Sequence, residues 1–377
     1  MTATLRVMLD QVAVPTDNDL AEASRELARA LVAGAPSGTE VEAIVPAQTD
    51  ATALRAAVPG LAGVHPAALP RRELSVAVQL GAPTGIGAGM IHSPTLMAPL
   101  VRHDRVHNHD QTVVTVWDSR AWDAPGELPR GALSFQRAMI KRAAKHADAV
   151  VVPTHALARR IAGVVNLGER IRVIPGAAPL GFAVPNDEVG RRRELDLPEG
   201  FVLLAGSASR NSDGLAVGLA AVARSGVDLP VVVIDAPEGE EPAIADLAEA
   251  AGLPERRLHV RGALETWNRA AVFGAALAFL APSRREAFPW RVVDALTLGV
   301  PVLAAASDSH TEVVSDGGRL VDEADDAVLG DALGATLAET LGSVSAAERL
   351  GVLAADRGRA FSWAEAADKV WHLHADL

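Results

Sequence analysis

The chain has 377 residues, more than a single hydrophobic core usually supports, and 49% of them are hydrophobic, enough to fill two cores. It carries 35 Lys and Arg against 47 Asp and Glu, a formal net charge of -12, and the basic residues are scattered, which argues against nucleic acid as a partner. There is no cysteine, so disulfides, thiolate metal sites and thiol nucleophiles are excluded.

The first ten residues, Met1 to Asp10, lack the charged start and apolar core of a secretory signal. No apolar stretch reaches the roughly 18 residues that span a bilayer. A soluble cytoplasmic protein is expected. Peripheral membrane contact stays open, because amphipathic helices dock without a spanning segment.

Short apolar runs alternate with helical patterns along the whole chain, the rhythm of parallel sheets with helical crossovers, so the fold class is α/β. In the first half, strands are expected near Leu5 to Leu9, Glu40 to Val45, Ser75 to Val78, Met90 to His92, Gln111 to Trp117, Ala149 to Pro153 and Ile171 to Pro175. In the second half they fall near Phe201 to Ala205, Pro230 to Ile234, Leu258 to Arg261, Ala276 to Leu280, Val300 to Ala304 and Gly318 to Val321. Residues 176–188, rich in Gly and Pro and without periodicity, read as a linker. The expected division is a first domain over 1–182, a second over 183–360, and a terminal helix over 361–377.

Two local patterns carry less than they first offer. Gly85-Ile-Gly-Ala-Gly89 has the glycine spacing of a dinucleotide turn but precedes a strand instead of following one. His103, His107 and His109 with Asp104 and Asp110 have no recognised ligand spacing and read as a solvated loop, so no metal site is expected. Thr154 is placed to cap a helix that begins at His155.

The stretch from Ser283 to Leu296 is the densest in chemical content. Glu286 follows an apolar strand, Pro289 suits a first helical turn, and Asp294 lies inside that helix, which Gly299 ends. In open α/β sheets, ligands bind beyond such strand ends. Carboxylates there suit hydroxyl-rich ligands, since each ionised oxygen accepts hydrogen bonds from two neighbouring OH groups. Phosphate suits a helix start, and Arg210 can grip phosphate oxygens bidentately.

The segment resembles the acidic E-x7-E signature of retaining, nucleotide-sugar-dependent glycosyltransferases of family 4 (glycosyl transferases group 1), with Glu286 as the first acid and Asp294 replacing the second. The likeness extends over most of the chain. It runs through Thr112 to Asp118, Pro129-Arg-Gly, Lys141 to His155, Arg172 to Gly176, Phe201 to Gly206 and the terminal Phe361-Ser-Trp. It implies the GT-B fold: two Rossmann-like doubly wound domains facing a central cleft, with the last helix crossing back to the first domain. It also implies transfer from a nucleotide-sugar donor without metal or other cofactor.

On this resemblance Glu286 is the catalytic-site carboxylate that binds the donor sugar, and Asp294 binds the ribose. Gly206, Arg210, Gly262, Phe288, Trp290, Arg291 and Asp294 line the donor site, and Asn18, His92, Trp117 and Asp118 the acceptor side. Three positions depart from the family pattern. Trp117 stands where relatives have histidine, no lysine accompanies Arg210, and Asp17-Asn18-Asp19 replaces a glycine-rich turn. The expected partners are a nucleotide sugar and a glycan, lipid or small-molecule acceptor. The rival expectation is a catalytically degenerate glycosyltransferase-like subunit that binds or scaffolds a partner glycosyltransferase.

Overall fold

The computed structural model describes residues 3–377. The chain divides into two units, one formed by the residues through Gly176 together with Ser362–Leu377, the other by Ala177–Phe361. In the first unit, strands β1 (Ala3–Met8), β2 (Thr39–Val45), β3 (Gly63–Pro66), β4 (Met90–Ser93), β5 (Gln111–Thr115), β6 (Ala149–Val152) and β7 (Ile171–Val173) lie in the order β3-β2-β1-β4-β5-β6-β7. In the second unit, β8 (Phe201–Ala205), β9 (Val231–Ile234), β10 (Leu258–Val260), β11 (Ala276–Ala281), β12 (Val302–Ala305) and β13 (Gly318–Val321) lie in the order β10-β9-β8-β11-β12-β13. All pairings are parallel, with Leu5, for example, opposite both Val41 and Met90.

Helices cover both faces of each sheet, so several interior strands are apolar at every position. Ala-Val-Val-Val in β6, Val-Val-Val-Ile in β9 and Val-Leu-Ala-Ala in β12 are buried throughout. Strand order reverses between β1 and β4 and again between β8 and β11. These reversals are the switch points at which doubly wound sheets open a crevice for ligands.

Helix ends are set by local chemistry. The Asp17 carboxylate accepts from Leu20 N at the start of Asn18–Ala33, and Thr154 Oγ1 accepts from Leu157 N at the start of His155–Ala162. Gly299 adopts φ 69°, a left-handed turn that stops Trp290–Thr297, and a Cβ there would lie 3.2 Å from the Gly351 carbonyl oxygen. The last helix, Trp363–Asp376, belongs to the first unit: it buries Trp363, Val370 and Trp371, and Trp371 Nε1 donates to the Leu31 carbonyl at 3.2 Å. No helix among the described residues is long and apolar enough to cross a membrane.

Three boundaries differ from expectation, each for a local reason. Ser75 to Val78 is not a strand but part of the helix Arg71–Leu80: Leu74, Ala77 and Val78 are buried while Glu73 and Val76 are exposed, a 3.6-residue period that the alternation Ser-Val-Ala-Val conceals. The short strand β3, Gly-Val-His-Pro, is too brief and too polar to announce itself. Unit 2 begins at Ala177, ahead of 183, because Phe182 packs edge-on against Phe273 with centroids 6.5 Å apart and lies under the Arg269 guanidinium.

Candidate functional site

The second sheet brings two loops together at its switch point. After β8 the chain turns at Gly206, whose φ of 141° and the nearby Asp213, 3.0 Å from where a Cβ would stand, both require glycine. Ser207 N and Arg210 Nε then donate to Asp213 Oδ2 at 3.0 and 2.9 Å. Ser207 Oγ and Ala208 N donate to Glu240 at 2.7 and 2.8 Å. Burial raises the pKa of Asp213 above the usual carboxylate range, against the Arg210 charge and with help from Glu286.

After β11, Ser283 Oγ donates to the Ser212 carbonyl at 2.8 Å and ties the acidic loop to the β8 loop. Glu286 follows, its side chain 37% exposed, with Oε2 3.7 Å from Nε2 of His310. His310 is fully buried and its Nδ1 lies 2.9 Å from the Ala305 carbonyl, which can only accept, so Nδ1 carries the proton. Nε2 has no hydrogen-bond partner among the described residues. Phe288 and Trp290 pack edge to face at 4.6 Å, opening the helix Trp290–Thr297.

That helix carries Asp294 inward. Its Oδ2 lies 2.9 Å from Arg269 Nε and 3.3 Å from an Arg291 nitrogen, while Arg291 Nε reaches Asp235 Oδ2 at 2.5 Å. Asp235 is held at φ 61° just past β9, and its amide N–H donates to the Gly262 carbonyl at 3.3 Å. The result is a chain of alternating charge: Asp235, Arg291, Asp294, Arg269. Of the expected donor-side residues, Glu286, Arg210 and Gly206 thus share one network, and Arg291, Asp294 and Gly262 share a second. His310, Asp213, Glu240, Asp235 and Arg269 were not anticipated; Asp213 meets Arg210 three residues away, and the others meet their partners only through the fold.

The first unit has its own crevice at the β1/β4 switch point, a cavity of ≈ 330 Å³. Trp117 and Asp118 line it, together with Asp10 at the end of β1 and Arg71 and Thr95. Asp10 is 1% exposed, ion-paired with Arg71 at 3.1 Å, and its pKa is raised by burial against the Arg71 charge. Trp117 Nε1 donates to the Pro94 carbonyl at 2.7 Å, which fixes the indole as a wall. Asn18 is exposed at the start of its helix and is not among the lining residues. His92 is fully buried, with Nδ1 3.3 Å from Nε2 of His374 on the terminal helix. In the histidine loop, His103 pairs with the distant Asp148 at 2.7 Å and His107 with neighbouring Asp104 at 2.9 Å. Among the described residues, no group of three or more His, Asp or Glu side chains converges to hold a metal ion.

Two parallel doubly wound units in these strand orders, with an acidic loop at the second switch point, constitute the GT-B fold. Solved structures agree in fold over the full length: sucrose-phosphate synthase from Thermosynechococcus elongatus has a TM-score of 0.71 at 18% identity, covering 99% of this chain and 98% of that one. Anabaena HepE in complex with UDP and glucose has a TM-score of 0.70 at 16% identity, covering 100% of both chains. Residues 199–339 match the model of the family described as Glycosyl transferases group 1. The D-inositol 3-phosphate glycosyltransferase of Nocardia farcinica is 31% identical over 241 residues, 60% of this chain and 52% of the relative, so the chain spans about half the length of that curated protein.

Proposed function

We propose that the chain transfers a sugar, with retention of anomeric configuration, from a nucleotide-sugar donor held by the second unit to an acceptor hydroxyl held by the first. The observation that carries this reading is Glu286, a partly exposed carboxylate at the switch point of the sheet whose residues match the glycosyltransferase family. Sugar hydroxyls donate to such a carboxylate, and because a hydroxyl can both donate and accept, the unpartnered Nε2 of His310 beside it suits the same ligand. Since the HepE structure contains UDP and glucose, a uridine donor is the first to test.

The departing diphosphate develops negative charge that fixed cations must meet. Arg210, on the loop after β8, is held by Asp213, and Arg291, in the helix after the acidic loop, by Asp235. In the proposed complex, phosphate oxygens displace these carboxylates as partners, while Asp294 keeps Arg269 and Arg291 aligned. The guanidinium groups supply the charge, so neither metal ion nor other cofactor takes part. The degenerate-subunit rival rests on residue replacements alone and gains nothing from the structure.

The test is nucleotide release from a panel of UDP- and GDP-sugars by the purified chain, with and without acceptors and chelator. Turnover that survives chelation and falls at least about 100-fold in Glu286→Gln supports the reading. No turnover and no nucleotide binding across the panel would remove it.

A further inference from the structure

We propose that the ≈ 330 Å³ cavity of the first unit binds an uncharged polyhydroxylated ring, a cyclitol or sugar without phosphate or carboxylate. This deepens the acceptor side of the proposed transfer and rests on that reading for the name acceptor. The binding itself stands on the cavity.

Three polar atoms on lining residues of this cavity are buried without a hydrogen-bond partner among the described residues: Thr115 Oγ1, Gln136 Oε1 and Arg71 Nε. Thr115 is only 2% exposed. Unpartnered buried polar groups are uncommon, and three around one cavity mark a place built for something else to complete. Their chemistry is mixed. An N–H that donates, an amide oxygen that accepts and a hydroxyl that does both match a ligand whose own groups do both, as sugar hydroxyls do. A phosphate only accepts and would leave Gln136 Oε1 unmet. Trp117 and Phe135 supply apolar walls for the C–H face of a ring.

Charge points the same way. The one guanidinium at the cavity, Arg71, is already neutralised by buried Asp10 at 3.1 Å. Asp118 adds a carboxylate to the wall, paired with Arg120 at 3.1 Å, and Asp17 lies within 4.0 Å of that same arginine. The pKa of Asp17 is raised, by burial first and then by the Asp19 charge, against the Arg120 charge. An anionic ligand meets no spare cation here. The volume sits at the small end of the usual range for ligand pockets, about 300 to 1,000 Å³, which suits a single ring.

Calorimetry on the full chain tests this with two matched pairs of probes, myo-inositol against D-inositol 3-phosphate and glucose against glucose 6-phosphate. At least one neutral probe should bind about tenfold more tightly than its phosphorylated partner. Thr115→Val should weaken that binding about five- to tenfold, the worth of one hydrogen bond, without lowering the melting temperature, because the hydroxyl has no bond to lose. Gln136→Met should weaken it similarly. Tighter binding of the phosphorylated probes, absence of binding by both neutral ones, or full affinity in Thr115→Val would overturn the proposal. UDP titrated into the same samples separates the two readings. Retained UDP binding confines a failure to this cavity, whereas lost UDP binding with polyol binding intact counts against the donor assignment instead.

Discussion

Asp294 is 2% exposed and held by two guanidinium groups, whereas Glu286, eight positions earlier in the same motif, is over a third exposed and lies 3.7 Å from Nε2 of His310. Removing a partner from a buried ion pair strands the other charge, at a cost of about 3–5 kcal/mol. Asp294→Ala should therefore lower the urea midpoint markedly, while Glu286→Gln should change stability by no more than about 0.5 kcal/mol and yet abolish turnover. Equal stability losses in the two variants would show that both carboxylates are structural. The spacing of the two acids is visible in the sequence. Their opposite surroundings are not, because Arg269 and His310 come from other elements and carry no local signature.

At the scale of the element, the terminal helix is fastened through a buried imidazole pair. His374 Nδ1 lies 2.8 Å from Gln111 Oε1, its Nε2 faces His92, and the rings meet at 5.5 Å. Burial pushes the His374 pKa down from 6.5 to about 4, opposed by the Asp148 charge, and burial with the His374 charge pushes that of His92 well down. Asp148 is itself bonded to His103. Because the folded state binds these protons less well than the unfolded chain, stability is complete above pH 6.5 and declines as the pH falls toward about 4. A shift of that size corresponds to about 3 kcal/mol for His374. Protection factors for amide exchange in residues 363–376, taken relative to the intrinsic rate at each pH, should fall between pH 7 and pH 5, and His374→Gln should flatten that dependence. Unchanged protection factors over this range would mean that the pair does not hold the helix. The helix itself was legible from its periodicity, and the βα rhythm gave nearly every strand. The pairing of His92 with His374 was not legible, since nothing in a sequence joins positions so far apart.

Over the whole molecule, the two units differ in how the chain builds them. The second is one continuous stretch, Ala177–Phe361, whereas the first is complete only with Ser362–Leu377. The GT-B fold could be read in advance because motif order, strand rhythm and a Gly- and Pro-rich linker all agree. The cavity of the first unit could not, since its walls come from several separate segments. Chain continuity has a consequence for experiment. Cutting after Phe361 removes Trp363, Val370 and Trp371, exposed by only 6%, 1% and 7%, and each large apolar side chain contributes about 1.5–3 kcal/mol by burial. The truncated chain should lose the first unit's melting transition while keeping the second's. A fragment of residues 177–361 should fold alone and gain the same thermal shift from UDP as the full chain, because a ligand that binds only the folded state stabilises it according to its concentration and affinity. It should transfer no sugar, having no acceptor unit. If the fragment is folded by circular dichroism and the full chain binds UDP but the fragment does not, the nucleotide site cannot lie within the second unit alone.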